Sequence, residues 1–165
     1  MIRKSSPARS RNLKILLGVT LGIAVALTLV LLLVPEKEAR AAEAQGVVLF
    51  ADGEARSCAV SLQGAMNTYA FEQDAPVYVG TLLLDGLSVG EVRLTFDGDY
   101  AAPKSGGLSA VLTKDLALAA EVTLDGRDGL VLAPAADEAE AQALLARFLA
   151  DTAFARRQGW ETYSK

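Results

Sequence analysis

Histidine is absent from this 165-residue chain, and cysteine occurs once, as Cys58. Without histidine there is no imidazole base for Ser–His or Cys–His hydrolysis, and the commonest ligand for zinc or copper is missing. One cysteine forms no intrachain disulfide, so a folded domain must hold through its core. That suits a bacterial periplasm better than a disulfide-stapled secreted module. Positive charge is scarce past the N-terminus. Residues 1–14 carry Arg3, Lys4, Arg9, Arg11 and Lys14 and no acid, which leaves residues 15–165 with eleven bases against twenty acids, a net charge of −9. A domain so acidic is a poor match for nucleic acid or an anionic lipid surface.

What the chain does have is a run of twenty uncharged residues, Ile15–Val34. As a helix it would be roughly 30 Å long, the thickness of a bilayer core. The sequence therefore predicts a transmembrane helix over residues 15–35. The basic block of residues 1–14 would form a cytoplasmic tail by the positive-inside rule, and the rest would lie outside the cytoplasm, in the periplasm of a bacterial inner membrane. A cleaved signal peptide is the rival reading, with small-x-small sites at Ala39-Arg40-Ala41 and Ala42-Glu43-Ala44. Signal h-regions usually run only about 7–15 residues, which favours the anchor. Within the run, Gly18, Gly22 and Ala26 recur every fourth residue, and Thr20 and Thr28 offer hydroxyls. Together they define a helix-packing face for another transmembrane protein or a second copy in the lipid bilayer. Equally, small residues are simply common in membrane helices.

Residues 36–45, charged and Ala-rich, read as a linker that continues as a short helix or not at all. From Gly46 the pattern is β. Val47–Phe50 is a short apolar run, Cys58, Val60 and Leu62 alternate with Ser57, Ala59 and Ser61, Val77–Leu84 is apolar on both faces, and Val92, Leu94 and Phe96 alternate with polar residues. Ala110–Thr113, Leu116–Leu124 and Leu130–Leu132 complete about seven strands, several of them separated by Asp-Gly turns. Gly64–Asp74 reads as a short helix or an irregular crossover, and Asp99–Leu108, with Pro103, Gly106 and Gly107, as a mobile loop. Residues 46–133 thus predict an antiparallel sandwich or partly open barrel in an α+β chain. Over residues 134–159, Asp137 and Glu140 have capping-box spacing, and Ala141, Leu144, Leu145, Phe148 and Thr152 recur at helical period. A single amphipathic helix is expected there, covering the sheet or facing a partner, followed by a tail over 160–165.

No motif carries chemistry convincingly. Gly86-Leu87-Ser88-Val89-Gly90 spells a nucleophile elbow, but that device needs a following helix and a histidine. A Ser–Lys arrangement would draw on Ser88 or Ser105 with Lys104 or Lys114, but a working lysine must be desolvated, and Lys104 in a Gly/Pro loop and Lys114 beside Asp115 at a strand end both read as solvated. Asp97-Gly98-Asp99 and Asp125-Gly126-Arg127-Asp128 offer oxygens to calcium, yet Asp-Gly serves tight turns for conformational reasons alone. No catalytic, cofactor or metal residue is therefore assigned. Trp160, Tyr163, Tyr100 and Pro103 are candidate contact residues for another protein, with Trp160 and Tyr163 alternatively placed at the membrane interface.

The leading expectation is a non-enzymatic accessory, assembly or scaffolding subunit of a larger membrane complex. A second is a sensing module that holds an apolar ligand between sheet and helix, near Tyr78, Phe96 and Phe148. A third is a Ser/Lys hydrolase.

Overall fold

Asp85-Gly86 and Asp125-Gly126 both take left-handed backbone angles, with φ of 51° and 80° in the first pair and 53° and 75° in the second. Those angles make two-residue hairpins whose twist matches that of the flanking strands. Such turns link sequential strands without crossovers. In the computed structural model, which describes residues 7–34, 36–68, 75–104 and 106–165, eight antiparallel strands follow one another and close into a barrel. They are β1 (Glu36–Phe50), β2 (Ala55–Thr68), β3 (Val77–Leu84), β4 (Leu87–Asp97), β5 (Tyr100–Ala102), β6 (Ala110–Thr113), β7 (Leu118–Leu124) and β8 (Arg127–Ala133). The closing pair is β1 with β8, from Val47↔Leu132 to Phe50↔Gly129.

The strand period of two sorts side chains to the inside and outside of this wall. Nineteen buried residues fill the interior, among them Val48, Phe50, Val60, Leu62, Tyr78, Leu82, Leu94, Phe96, Leu112 and Val131. Tyr78 lies across Gly64 and Gly80 and donates to the Arg40 carbonyl at 3.2 Å, sealing the interior at that end. Leu108 packs against the same core from the segment joining β5 to β6. A second core lies outside the wall. There Val47, Leu49, Val111, Ala119, Leu130 and Leu132 meet Ala141, Leu145, Phe148, Ala155 and Trp160.

The C-terminal elements supply that outer cover. Helix α2 (Glu138–Asp151) is capped by Asp137, which accepts from the Glu140 amide at 2.9 Å, while Glu140 accepts from the Ala136 amide at 2.8 Å. Thr152 ends α2 and caps α3 (Ala153–Arg157), and a 3₁₀ turn (Trp160–Tyr163) follows. The single helix expected over 134–159 is thus broken at Thr152, whose extended backbone redirects the chain so that Phe154 and Trp160 pack edge to face.

Several other expectations need correction. The sheet is a closed eight-stranded barrel rather than a sandwich or a partly open barrel of seven strands. Residues 36–45 form the first part of β1 instead of a linker, because their backbone pairs with β2 along its whole length. The segment read as a mobile loop contains β5, held to β4 and β6.

The transmembrane helix is also overturned. Residues Pro7–Leu33 do form a helix, α1, but among the described residues no helix is long and apolar enough to cross a membrane. Three cations, Arg9, Arg11 and Lys14, stand within the first eight residues of α1. The cytoplasmic N-terminus, the single pass and the periplasmic inner-membrane placement all rested on a transmembrane helix and fall with it.

The cradle under Tyr78 gives a direct test of the packing. A Cβ on Gly64 would run into the Val79 carbonyl oxygen and lie 2.6 Å from Gly80 Cα, so β2 and β3 would have to separate. Gly64→Val should cost about 1–3 kcal/mol in urea unfolding. Gly18→Ala on α1, with nothing within 4 Å of the new methyl group, should leave the barrel's midpoint unchanged.

Candidate functional site

Helices and 3₁₀ turn cover the barrel wall over β6, β7, β8 and the end of β1. The opposite wall is bare. Its floor is the outer side of β2, where period-two alternation sends Cys58, Val60 and Leu62 inward and Ser57, Ala59, Ser61 and Gln63 outward. Because those outward side chains are small, the floor is low. Glu43 and Gln45 of β1 form one bank, and Leu83 with the Asp85-Gly86 turn forms the other. The result is an open groove of about 880 Å³.

Its chemistry is that of hydrogen-bond acceptors and amides. Glu43 and Asp85 bring two carboxylates, and no lysine or arginine lines the groove. Asp85 is fixed from both sides: its side chain accepts from the Ala59 amide at 2.8 Å, and its own amide donates to the Ala59 carbonyl at 2.8 Å. The side-chain amide Nε2 of Gln63 donates to the Ser61 hydroxyl at 3.2 Å. A register shift between Leu82 and Leu83 lets Leu83 face Ser88 at the upper bank. The groove suits an extended segment that donates hydrogen bonds and carries positive charge.

A smaller cleft of about 470 Å³ lies between Val89, Leu108, β7 and Tyr163. Glu121 there accepts from the Trp160 indole at 2.7 Å, and Asp128 accepts from the Thr123 hydroxyl at 2.9 Å. Burial pushes the Tyr163 phenol above its ordinary value, and the Glu121 and Asp128 carboxylates add to the effect.

The residues expected to meet another protein are distributed differently. Trp160 is fully buried in the outer core. Tyr163 is half-buried, and its carbonyl accepts from Gln142 at 2.9 Å. Tyr100 packs edge to face on Phe148 and donates to Asp151. Pro103 is half-buried beside β5. Trp160 and Tyr100 therefore cement the helices to the wall. Gly18, Gly22, Ala26, Thr20 and Thr28 all lie exposed on α1. Nothing lies within 4 Å of where a methyl group would stand on Gly18 or Gly22, and the two threonine hydroxyls donate back to Leu16 and Ala24 of their own helix.

Ser88 is the second residue of strand β4, so its Gly-x-Ser-x-Gly motif runs into a strand with no following helix. Lys114 is bound to Asp99 at 2.8 Å, Lys104 is exposed, and Ser105 lies outside the described residues. Two of the Asp-Gly turns carry ion pairs: Asp125 with Arg56 at 3.2 Å, and Asp52 and Glu54 with Arg127 at 2.7 and 2.8 Å. Arg127 also stacks over the Phe50 ring at 4.2 Å. Among the described residues no group of three or more acidic, cysteine or histidine side chains could hold a metal ion. Tyr78 and Phe96 belong to the interior core and Phe148 to the outer one, so the wall separates residues expected to share a ligand cavity.

Cys58 lies directly behind the groove floor. Burial pushes its thiol from 9.0 up to about 11, the Asp85 carboxylate adds to the rise, and Arg56 opposes it. A raised thiol pKa in the fold means that the unfolded chain loses this proton first as pH rises. The stabilisation is fully present below pH 9 and is lost as pH climbs through 9 to 11. Stability measured by urea unfolding should decline over that interval, and the decline should be shallower in Cys58→Ala. Iodoacetamide at pH 8 should label Cys58 far more slowly in the native than in the unfolded chain.

No protein-family model, no curated protein and no solved structure matches this chain.

Proposed function

We propose that this protein is a non-enzymatic binding module, an accessory or assembly subunit that holds an extended segment of another protein in the groove over β1, β2 and β3. The observation that carries this reading is the division of the barrel's outer wall. One half is sealed under α2, α3 and the 3₁₀ turn, while the other keeps an open, acidic groove floored by small side chains. The barrel's interior is filled with apolar side chains, where ligand-carrying barrels hold their ligand. Binding in this account is therefore on the wall and not inside it. A segment with lysine or arginine would meet Glu43 and Asp85, and its backbone amides would meet Ser57, Ser61 and the glutamines. Rim charges of this kind steer association and set register more than they add affinity.

The test is sizing and mass spectrometry of the full-length protein isolated from its native source, beside an Ala59→Arg variant. Ala59 is exposed at the middle of the floor, so the new side chain fills the groove without entering the core. The wild type should carry a second protein at fixed stoichiometry, and Ala59→Arg should weaken that association at least ~10-fold, equivalent to about 1.4 kcal/mol, with an unchanged circular dichroism spectrum. A wild type that elutes alone, or an association that Ala59→Arg leaves intact, would overturn the proposal.

A further inference from the structure

The first part of β1 has a backbone edge that nothing in the described chain covers. β1 pairs with β2 from Glu36 to Leu49, but with β8 only from Val47 to Phe50. The direction in which its peptide groups point follows from three contacts. The Gln45 carbonyl accepts from the Ala135 amide on the β8 side. Ala59, opposite Gln45 on β2, spends both its amide and its carbonyl on Asp85 of the β3 side, leaving nothing for Gln45. Phe50 of β1 bonds instead with Glu54 and Gly53 of the hairpin to β2. Odd-numbered residues of β1 thus face away from β2, because peptide groups alternate sides along a strand. Lys37, Ala39, Ala41 and Glu43 therefore present four amides and four carbonyls along one exposed edge, which has no partner among the described residues. Such an edge is a template for another strand.

The charges along it select the occupant. Antiparallel pairing with the same edge of a second copy must set outward-facing residues against outward-facing residues, so the two-fold axis passes through a residue and not between two. An axis at Glu38 places Glu36 against Arg40 twice, but at its centre sets Glu38 against Glu38. An axis at Arg40 places Lys37 against Glu43 but Arg40 against Arg40. An axis at Ala41 brings no opposite charges face to face. An axis at Ala39 places Glu38 against Arg40 twice, on one face of the sheet, in the close non-hydrogen-bonded positions where cross-strand pairs interact most strongly. Within one chain Glu38 and Arg40 already lie 2.9 Å apart, so the four groups would form one alternating cluster.

We infer that the protein forms a two-fold dimer through β1, with Ala39 on the axis, Lys37 and Ala41 exchanging backbone hydrogen bonds across it, and Glu38 paired with Arg40 of the second copy. Residues 37–41 make this contact, while Glu43 and Gln45 remain on the bank of the groove. The dimer is therefore independent of the groove-bound segment and compatible with it.

Sedimentation equilibrium on the full chain tests the inference. The wild type should dimerise. Ala39→Pro removes the central outward amide without touching a hydrogen bond to β2, and should leave a monomer with an unchanged circular dichroism spectrum. Glu38→Arg alone sets arginine against arginine, and Arg40→Glu alone sets glutamate against glutamate. Each should weaken the dimer at least tenfold, and the double exchange should restore it. A wild type that stays monomeric up to its solubility limit would overturn the inference, as would a dimer that survives Ala39→Pro and so uses another surface, such as the exposed side of α1. Single reversals that the double exchange does not rescue would overturn the Ala39 register. Groove occupancy, read with Ala59→Arg, is a separate outcome from each of these.

Discussion

Four residue pairs hold this barrel shut. Val47, Val48, Leu49 and Phe50 of β1 meet Leu132, Val131, Leu130 and Gly129 of β8, and the interior and the helix-covered wall both depend on that seam. It requires close approach. A Cβ on Gly129 would stand 2.7 Å from Val48 Cγ1 and 3.2 Å from the Leu49 carbonyl oxygen. One on Gly46 would stand 2.5 Å from Val60 Cγ2 and 2.9 Å from the Leu132 carbonyl oxygen. Glycine at both places lets the first and last strands come to pairing distance, and closure then removes most of the sheet's exposed edge. Phe50, at the end of the seam, is further pinned by the Arg127 guanidinium over its ring.

The seam also divides the molecule's surfaces. Val48, Phe50 and Val131 face the interior, while Val47, Leu49, Leu130 and Leu132 face the C-terminal elements. Those elements cover one half of the wall because its outward side chains are apolar there. Over β2 the outward side chains are serine, alanine and glutamine, which offer a helix nothing to pack against. The bare groove and the covered wall are thus two readings of one alternating pattern. The proposed binding role follows the polar half. The proposed dimer follows from the one stretch where β1 outruns β8.

Much of the β domain was legible in the sequence, for physical reasons that differ strand by strand. In β4, Val92, Leu94 and Phe96 alternate with polar residues because only one face is buried. Val47–Phe50 and Leu130–Leu132 read as unbroken apolar runs because both faces are buried. The first half of β1 escaped because it is an edge: Glu36–Ala41 are exposed on both faces, so no hydrophobic period marks them, and alanine with charge suggests helix or linker. β5 is three residues long and is followed by a proline and, beyond Ser105, two glycines. Trp160 was read as a contact for another protein because a lone tryptophan near a terminus gives no sign of what it packs on. Its burial follows from Glu121, thirty-nine residues earlier, which receives the indole hydrogen. The groove was foreshadowed only in the polar side of β2, since small outward side chains mark a low floor only once the banks are known. The apolar run of α1 suggested a span that no described helix is long and apolar enough to make.

Amide hydrogen exchange reads closure of the seam residue by residue. Closure turns the outward peptide groups of Val47 and Leu49 toward β8, whereas the same groups in an open sheet would face solvent. In a closed barrel the Val47 and Leu49 amides should exchange as slowly as those of Leu82 and Leu94 in the middle of the barrel, through global unfolding alone. Exchange at Val47 and Leu49 by local opening, orders of magnitude faster than at Leu82 and Leu94, would contradict the closed barrel and every surface derived from it.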